Sequence, residues 1–271
     1  SITDVSIYLS HLVDKHKVSV AAMAHAALKW VHSILPIDNN PLDASICKNL
    51  VEAEKRSRPG PIKKKEPATL ELVTSIVDSY AHEGATLKDL RFATMCVISF
   101  VCLLRSDELI NIKASDIIVH SDYIVIKIPR SKTDVYRDGQ EVFLHKSAKT
   151  TCPYSLLLRY LSQANIVLNS SEYVFRNVIY MKSTNKYVLG DRKVSYTSYL
   201  DLFKKCIKNL GYDSKLYALH SFRSAGATST TIVKNLRDCP SLERLLQIHG
   251  RWKADSAKDM YIKEIVQQRL T

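Results

Sequence analysis

The 271 residues are 46% hydrophobic and 24% charged, the balance of a chain that builds a core and not of a disordered one. No apolar run reaches the roughly 20 residues that a bilayer demands, and there is no secretory leader, so neither a membrane nor a secreted protein is expected. Lys and Arg outnumber Asp and Glu by 39 to 27, a net charge of +12, which favours a polyanionic partner, nucleic acid first.

The chain opens at Ser1 without a Met, and a fragment of a longer protein is expected. Val20 to Ile34 is Ala-rich, repeats apolar residues at helical spacing and is stopped by Pro36. A second helix is expected from Leu42 to about Arg56. The stretch KRSRPGPIKKKEP, residues 55 to 67, follows with six basic residues and three prolines. Prolines so close together break a helix, so this is a basic linker. Lys55, Arg56, Arg58, Lys63, Lys64 and Lys65 could track a phosphate backbone; a nuclear-import signal or a plain solvated linker stays open.

A larger domain begins beyond Pro67. Thr69 to about His82 reads as a helix, and Thr86-x-x-Asp89 starts the helix that carries MCVISFVCLLR. Asp122 to Ile128 and Gln140 to His145 read as strands of a hairpin, with Asp138-Gly139 as turn signal. The remainder is expected to be helical over 153–164, 197–210, about 221–236, 241–248 and 256–269, the last with Ser256-x-x-Asp259 as a capping pattern. Six scattered cysteines form no C-x-x-C, which suggests a reducing, intracellular setting without metal or other cofactor.

Four local features could carry chemistry. Arg105 follows an apolar helix in Leu104-Arg105-Ser106-Asp107-Glu108-Leu109; its fork of donors suits a phosphate, and Glu108 could orient it. His220 and Arg223, three apart at a helix start, could converge on one phosphate. Lys132, just past the first hairpin strand, could reach into a groove beside Arg130. Trp252 and Tyr261, nine residues apart, offer an indole donor and a phenolic nucleophile. Taken singly, each also reads as an ordinary ion pair, surface charge or aromatic contact.

In order, Arg105, Lys132, His220-x-x-Arg223, Trp252 and Tyr261 resemble the tyrosine recombinases, the phage-integrase family, with Cre-like spacing from Trp252 to Tyr261. His249-Gly250-Arg251-Trp252-Lys253 and Ala257-Lys258-Asp259-Met260-Tyr261 look like recombinases of eukaryotic mobile elements of the Crypton and DIRS-like groups. The resemblance covers about 68 to 271 and implies a mainly α (α+β) fold. Residues 1–58 would form a small helical DNA-binding domain, one helix short of a full core-binding domain. Residues 59–67 would be the linker, and 68–271 a mostly helical catalytic domain with a small antiparallel sheet, the two lobes forming a C-shaped clamp.

The implied activity is metal-free cleavage and rejoining of duplex DNA through a 3′-phosphotyrosine. Arg105 and Arg223 would hold the non-bridging oxygens, with the Trp252 indole N–H adding a donor. Tyr261 would attack, His220 manage its proton, Lys132 protonate the leaving 5′-oxygen and Glu108 orient Arg105. A dimer or tetramer on DNA is implied, in the nucleus if the source is eukaryotic. A type IB topoisomerase, or a DNA-binding derivative that no longer cleaves, are the competing readings; RNA binding is a weaker one.

Overall fold

The structure, a computed structural model, describes residues 1–15, 20–35, 39–57, 64–131, 134, 139–233 and 240–262. The chain divides into two compact units, Ser1–Lys64 and Lys65–Thr271.

The first unit holds three helices, α1 (Ile2–Lys15), α2 (Val20–Ile34) and α3 (Ser45–Arg56), with a short 3-10 turn at Pro41–Asp43. Leu9, Leu42 and Cys47 form its small core, with Val5, Leu28 and Leu50 packed around them. Glu54, buried on α3, accepts a hydrogen bond from the Ala22 N–H at 3.3 Å. That contact satisfies one of the donors left open at the start of α2. The helix over α1 was not among the sequence expectations.

The second unit begins with α4 (Leu70–Tyr80) and α5 (Leu87–Val101). Thr86 caps α5 as its spacing predicts, its hydroxyl accepting from the Asp89 N–H at 3.2 Å. From Leu90 to Ser99 every residue of α5 is buried. The run is apolar all round because α4, α7 and α9 cover it on different sides. The helix does not continue to Arg105: Cys102 caps it, and Leu103 takes a left-handed φ of 50° that turns the chain. A second, five-residue helix α6 (Ser106–Ile110) then starts at Arg105.

Strands β1 (Ile117–Val119), β2 (Tyr123–Ile128) and β3 (Gln140–His145) form an antiparallel sheet in the order β1-β2-β3. Ile124 faces Leu144 and Ile126 faces Val142, all four buried against the core. Gly139 has a φ of 71°, the left-handed conformation that its place in the turn requires. After α7 (Pro153–Gln163) comes a second hairpin, β4 (Arg176–Met181) and β5 (Lys186–Lys193). The sequence reading had not found it. Helices α8 (Tyr196–Asn209), α9 (His220–Val233), α10 (Pro240–Gly250) and α11 (Asp255–Asp259) complete the described residues.

Two expectations are corrected at the chain's segments. The last helix starts at Asp255 behind Ala254 with no side-chain cap, so Ser256 is not its N-cap. Its described part ends at Asp259, which leaves Tyr261 in a turn just past the helix and not one turn inside it. The linker expected over 59–67 is already stitched to the second unit at its end: Glu66 N–H donates to the Leu216 carbonyl at 2.7 Å and Ala68 N–H to the Ser221 carbonyl at 3.0 Å. Five described cysteines are free and buried. No described helix is long and apolar enough to cross a membrane.

Candidate active site

The site grows from the turn that ends α5. Arg105 is the N-cap of α6, and its backbone N–H donates to Glu108 Oε2 at 2.9 Å while its Nη1 donates to Oε1 at 2.6 Å. The same Oε2 accepts from Nη2 of Arg251 at 2.9 Å. Glu108 is therefore a buried carboxylate gripped by two guanidinium groups. Burial alone would push its carboxyl up, but the charge of Arg251, the Arg105 N–H and the Arg105 guanidinium outweigh it and hold it below its ordinary 4.5.

Arg223 enters from α9, one turn after His220. It is 0% exposed, and its two Nη atoms donate to the carbonyls of Leu103 and Gly250. Its guanidinium carbon lies 4.7 Å from the Trp252 ring centroid and 5.0 Å from that of Tyr261. The two rings are 5.6 Å apart and tilted by 40°. Burial, then the neighbouring Arg105 and Arg251, pulls Arg223 down from its ordinary value to about 10. It remains a cation at neutral pH.

Two glycines make this packing possible. A Cβ on Gly226 would meet the Phe100 carbonyl at 2.2 Å, so only glycine lets α9 approach α5 this closely. A Cβ on Gly250 would fall 1.9 Å from the Trp252 ring, so a side chain there would displace the indole. Leu103, Ala227, Leu246 and Trp252 form a small separate core here, with Ala257, Tyr261 and Ile262 packed against it. Tyr261 is anchored through its backbone: its N–H donates to the Lys258 carbonyl at 2.9 Å and its carbonyl accepts from Ser224 Oγ at 2.6 Å.

Three buried donors in this cluster, Arg223 Nε, Arg251 Nε and Trp252 Nε1, have no hydrogen-bond partner among the described residues. Buried N–H groups are normally paired, so the leftover donors of Arg223 and Trp252, beside the aromatic stack, suit an arriving anion. Next to them opens a cleft of about 1090 Å³ whose lining includes Arg105, Lys113, Arg130, Lys193 and the exposed His220. Four of these are cations, against Asp107, Glu108 and Asp134 in the same lining. Ser131 lines both this cleft and a smaller one of about 290 Å³ bounded by Arg251, Trp252 and Lys253.

The structure thus brings together Arg105, Glu108, Arg223, Trp252 and Tyr261, and sets His220 and Arg130 on the adjoining cleft. Lys132 lies outside the described residues, as do Arg58 and Lys63. Lys55 and Arg56 end α3 as exposed side chains paired with Glu52 at 3.4 and 3.6 Å. Lys65 Nζ donates to the Lys215 carbonyl at 2.5 Å. Among the described residues, no group of three or more His, Cys, Asp or Glu could hold a metal ion.

Sequence reasoning missed two residues here. Arg251 was singled out only as the neighbour of Trp252. Lys258, with 1% of its side chain exposed, bridges α11 to Glu243 on α10 and pairs with Asp255 at 3.3 Å. Both stand in the stretches that resemble recombinases, His249–Lys253 and Ala257–Tyr261, but nothing in those stretches marks their ion-pair partners.

No family model matches the chain. An integrase/recombinase xerD homolog from Selenomonas ruminantium is 23% identical over 225 residues, 82% of this chain and 63% of that protein. The chain therefore spans less than two thirds of that relative's length. Among solved structures, the Tn1549 transposon integrase in complex with transposon right end DNA superposes with a TM-score of 0.63 at 13% identity, over 100% of this chain and 83% of the other. The XerH site-specific recombinase bound to difH substrate gives 0.61 at 17% identity, over 97% and 67%. A lambda integrase dimer bound to a core site gives 0.55 at 15%, over 97% and 64%. The fold is that of the tyrosine recombinases and integrases: mainly helical, with small antiparallel sheets.

Proposed function

We propose that this chain is a tyrosine recombinase of a transposable element, which cleaves and rejoins duplex DNA through a covalent 3′-phosphotyrosine. The observation that carries the reading is the stack itself: a fully buried Arg223 held under Trp252 and Tyr261, with leftover N–H donors and Arg105 beside it. A phosphodiester is an anion whose cleavage builds charge on its non-bridging oxygens, and preorganised donors in a water-poor site stabilise that charge most.

In the proposed step, the Tyr261 oxygen attacks phosphorus in line with the 5′-bridging oxygen. The new bond joins tyrosine to the 3′-phosphate, and the bond to the 5′-oxygen breaks. Arg105 and Arg223 take the non-bridging oxygens, and Trp252 Nε1 adds a neutral donor. His220, at the mouth of the cleft, accepts the tyrosine proton. Lys132 protonates the departing 5′-oxygen, the role its hairpin position suggests. Glu108 orients Arg105. The phosphoester energy stays in the covalent link, so rejoining requires no ATP.

Duplex DNA is the proposed partner, bound by two or four copies of the chain and followed along the backbone by Lys55, Arg56, Arg58, Lys63, Lys64 and Lys65, with Arg130 on the hairpin. The relatives' complexes with DNA support this assignment, and the motif around Trp252 supports the placement with Crypton- and DIRS-like elements.

The test uses a pool of nicked duplexes of randomised sequence, in which release of the short 5′-hydroxyl strand traps any covalent product. Wild type should give a protein–DNA adduct that survives detergent, and Tyr261→Phe should give none while binding the same pool as tightly. An adduct that persists in Tyr261→Phe, or a phosphotyrosine peptide mapped to another of the 14 tyrosines, overturns the assignment.

A further inference from the structure

Arg251 is buried and stands at a position whose backbone resists a side chain: its φ is 55°, left-handed, where glycine is the unstrained choice. A strained, buried arginine persists only where its contacts hold it there. Those contacts are specific. Nη1 donates to the carbonyls of Cys102 at 3.2 Å and His249 at 2.9 Å; Nη2 donates to the Leu103 carbonyl at 3.0 Å and to Glu108 Oε2 at 2.9 Å.

Two of these acceptors lead directly to the phosphate-binding arginines. Glu108 holds Arg105 through its other oxygen at 2.6 Å. The Leu103 carbonyl, turned inward by that residue's own left-handed φ of 50°, is also an acceptor for Arg223 Nη1. One guanidinium therefore fixes the partners of both others, across 143 residues of sequence to Glu108. It also fixes the backbone between Gly250, whose carbonyl takes the other Arg223 nitrogen, and Trp252, which covers Arg223. A lysine could neutralise Glu108 but could not span these acceptors, because it lacks the planar fork.

We propose that Arg251 is a positioning residue that sets Arg105, through Glu108, and Arg223, through the Leu103 carbonyl, at their spacing for one phosphate. The inference rests on the strand-cleavage reading above. Arg251 does not touch the substrate in this scheme. Its effect is on where two guanidinium groups stand when the transition state forms.

The test compares Arg251→Gly, which removes the fork and suits the left-handed backbone, with Arg251→Lys, which keeps only the charge. Each is assayed in single turnover on a duplex recovered from the wild-type adduct. Both should bind that duplex like wild type, while Arg251→Gly forms adduct roughly 10²-fold more slowly, the loss expected from a 1 Å misplacement of catalytic groups. Arg251→Lys should recover little of it.

A second duplex carries a neutral methylphosphonate at the scissile position, which removes one of the two charged oxygens that need a guanidinium. On it the deficit of Arg251→Gly should shrink to a few fold, because a misplaced arginine costs less when fewer oxygens need one. Poorer folding alone would cut both substrates by the same factor. Equal losses on the two duplexes, or a rate within twofold of wild type on the natural one, overturn the inference while leaving the cleavage reading intact. A wild type that forms no adduct on any duplex removes both.

Discussion

Glu108 lies between two guanidinium groups with 2% of its side chain exposed. Three arginines packed this closely would repel one another, and the carboxylate together with the carbonyls of Cys102, Leu103 and Gly250 offsets that repulsion. Glu108→Gln keeps the shape but leaves Arg251 buried without its counter-charge, a loss of about 3–5 kcal/mol for a broken buried pair. The pH dependence has a definite sign. A carboxyl held below 4.5 when folded contributes stability that is fully present above 4.5 and is lost as pH falls through the lowered folded value. Urea unfolding from pH 7 downward should therefore show a shallower acid decline for Glu108→Gln than for wild type; parallel declines would mean that folding does not lower the pKa of this carboxyl. Residues like Arg105, Arg223, Trp252 and Tyr261 were legible because their order and spacing survive in a linear reading. The roles of Arg251 and Lys258 were not, since their partners Glu108 and Glu243, 143 and 15 residues away, are chosen by the fold and not by the motifs in which the two cations stand.

The element that delivers Tyr261 is only five residues long, and α11 is too short to be stable by itself. It is held by Lys258, whose ammonium is buried: burial pulls its pKa down, but the hydrogen bonds to Glu243 and Asp255 outweigh this and raise it. Lys258→Met keeps the apolar stem and cuts the tie to α10, while the released Glu243 and Asp255 stay half or more exposed to water. The expected result is faster amide hydrogen exchange over 255–261 with the α5 amides unchanged, and slower adduct formation at unaltered DNA affinity. Unchanged protection over 255–261 would show that the small core around Leu246 and Trp252 suffices to hold the turn. Elements with a buried stripe or a clear stop could be read, among them α4, α5, α7, α8 and the β2–β3 hairpin. The β4–β5 hairpin escaped because its burial runs in blocks, with Gly190 the one buried residue, so no period-two alternation marks its strands. In α2 the opposite happened. Its apolar spacing promised a packed face, yet only Ala21 is buried and Trp30 is 66% exposed.

At the scale of the whole molecule, two units with separate cores are joined by a cationic stretch that ends in the second unit's own hydrogen bonds. Glu66 and Ala68 tie to Leu216 and Ser221, the segment that leads into the His220–Arg223 helix. Pro59, Pro61 and Pro67 carried the expectation of a basic break, of which residues 58–63 lie outside the described residues; where it ends was not readable, because main-chain hydrogen bonds from Glu66 and Ala68 to Leu216 and Ser221 leave no trace in composition. If the linker follows a DNA backbone, each lysine that neutralises a phosphate contributes about 0.9 to the slope of log K against log salt. Changing Lys63, Lys64 and Lys65 together to Gln should then flatten that slope by up to about 2.7. Lys65 donates to the Lys215 carbonyl, an interaction that leaves its charge available, so restoring Lys65 alone should return close to one third of the lost slope. Fluorescence anisotropy on one duplex across a salt series measures both. A slope equal to that of wild type in the triple variant takes the linker out of the DNA interface and assigns the chain's positive excess to the cleft around Arg105, Lys113, Arg130 and Lys193.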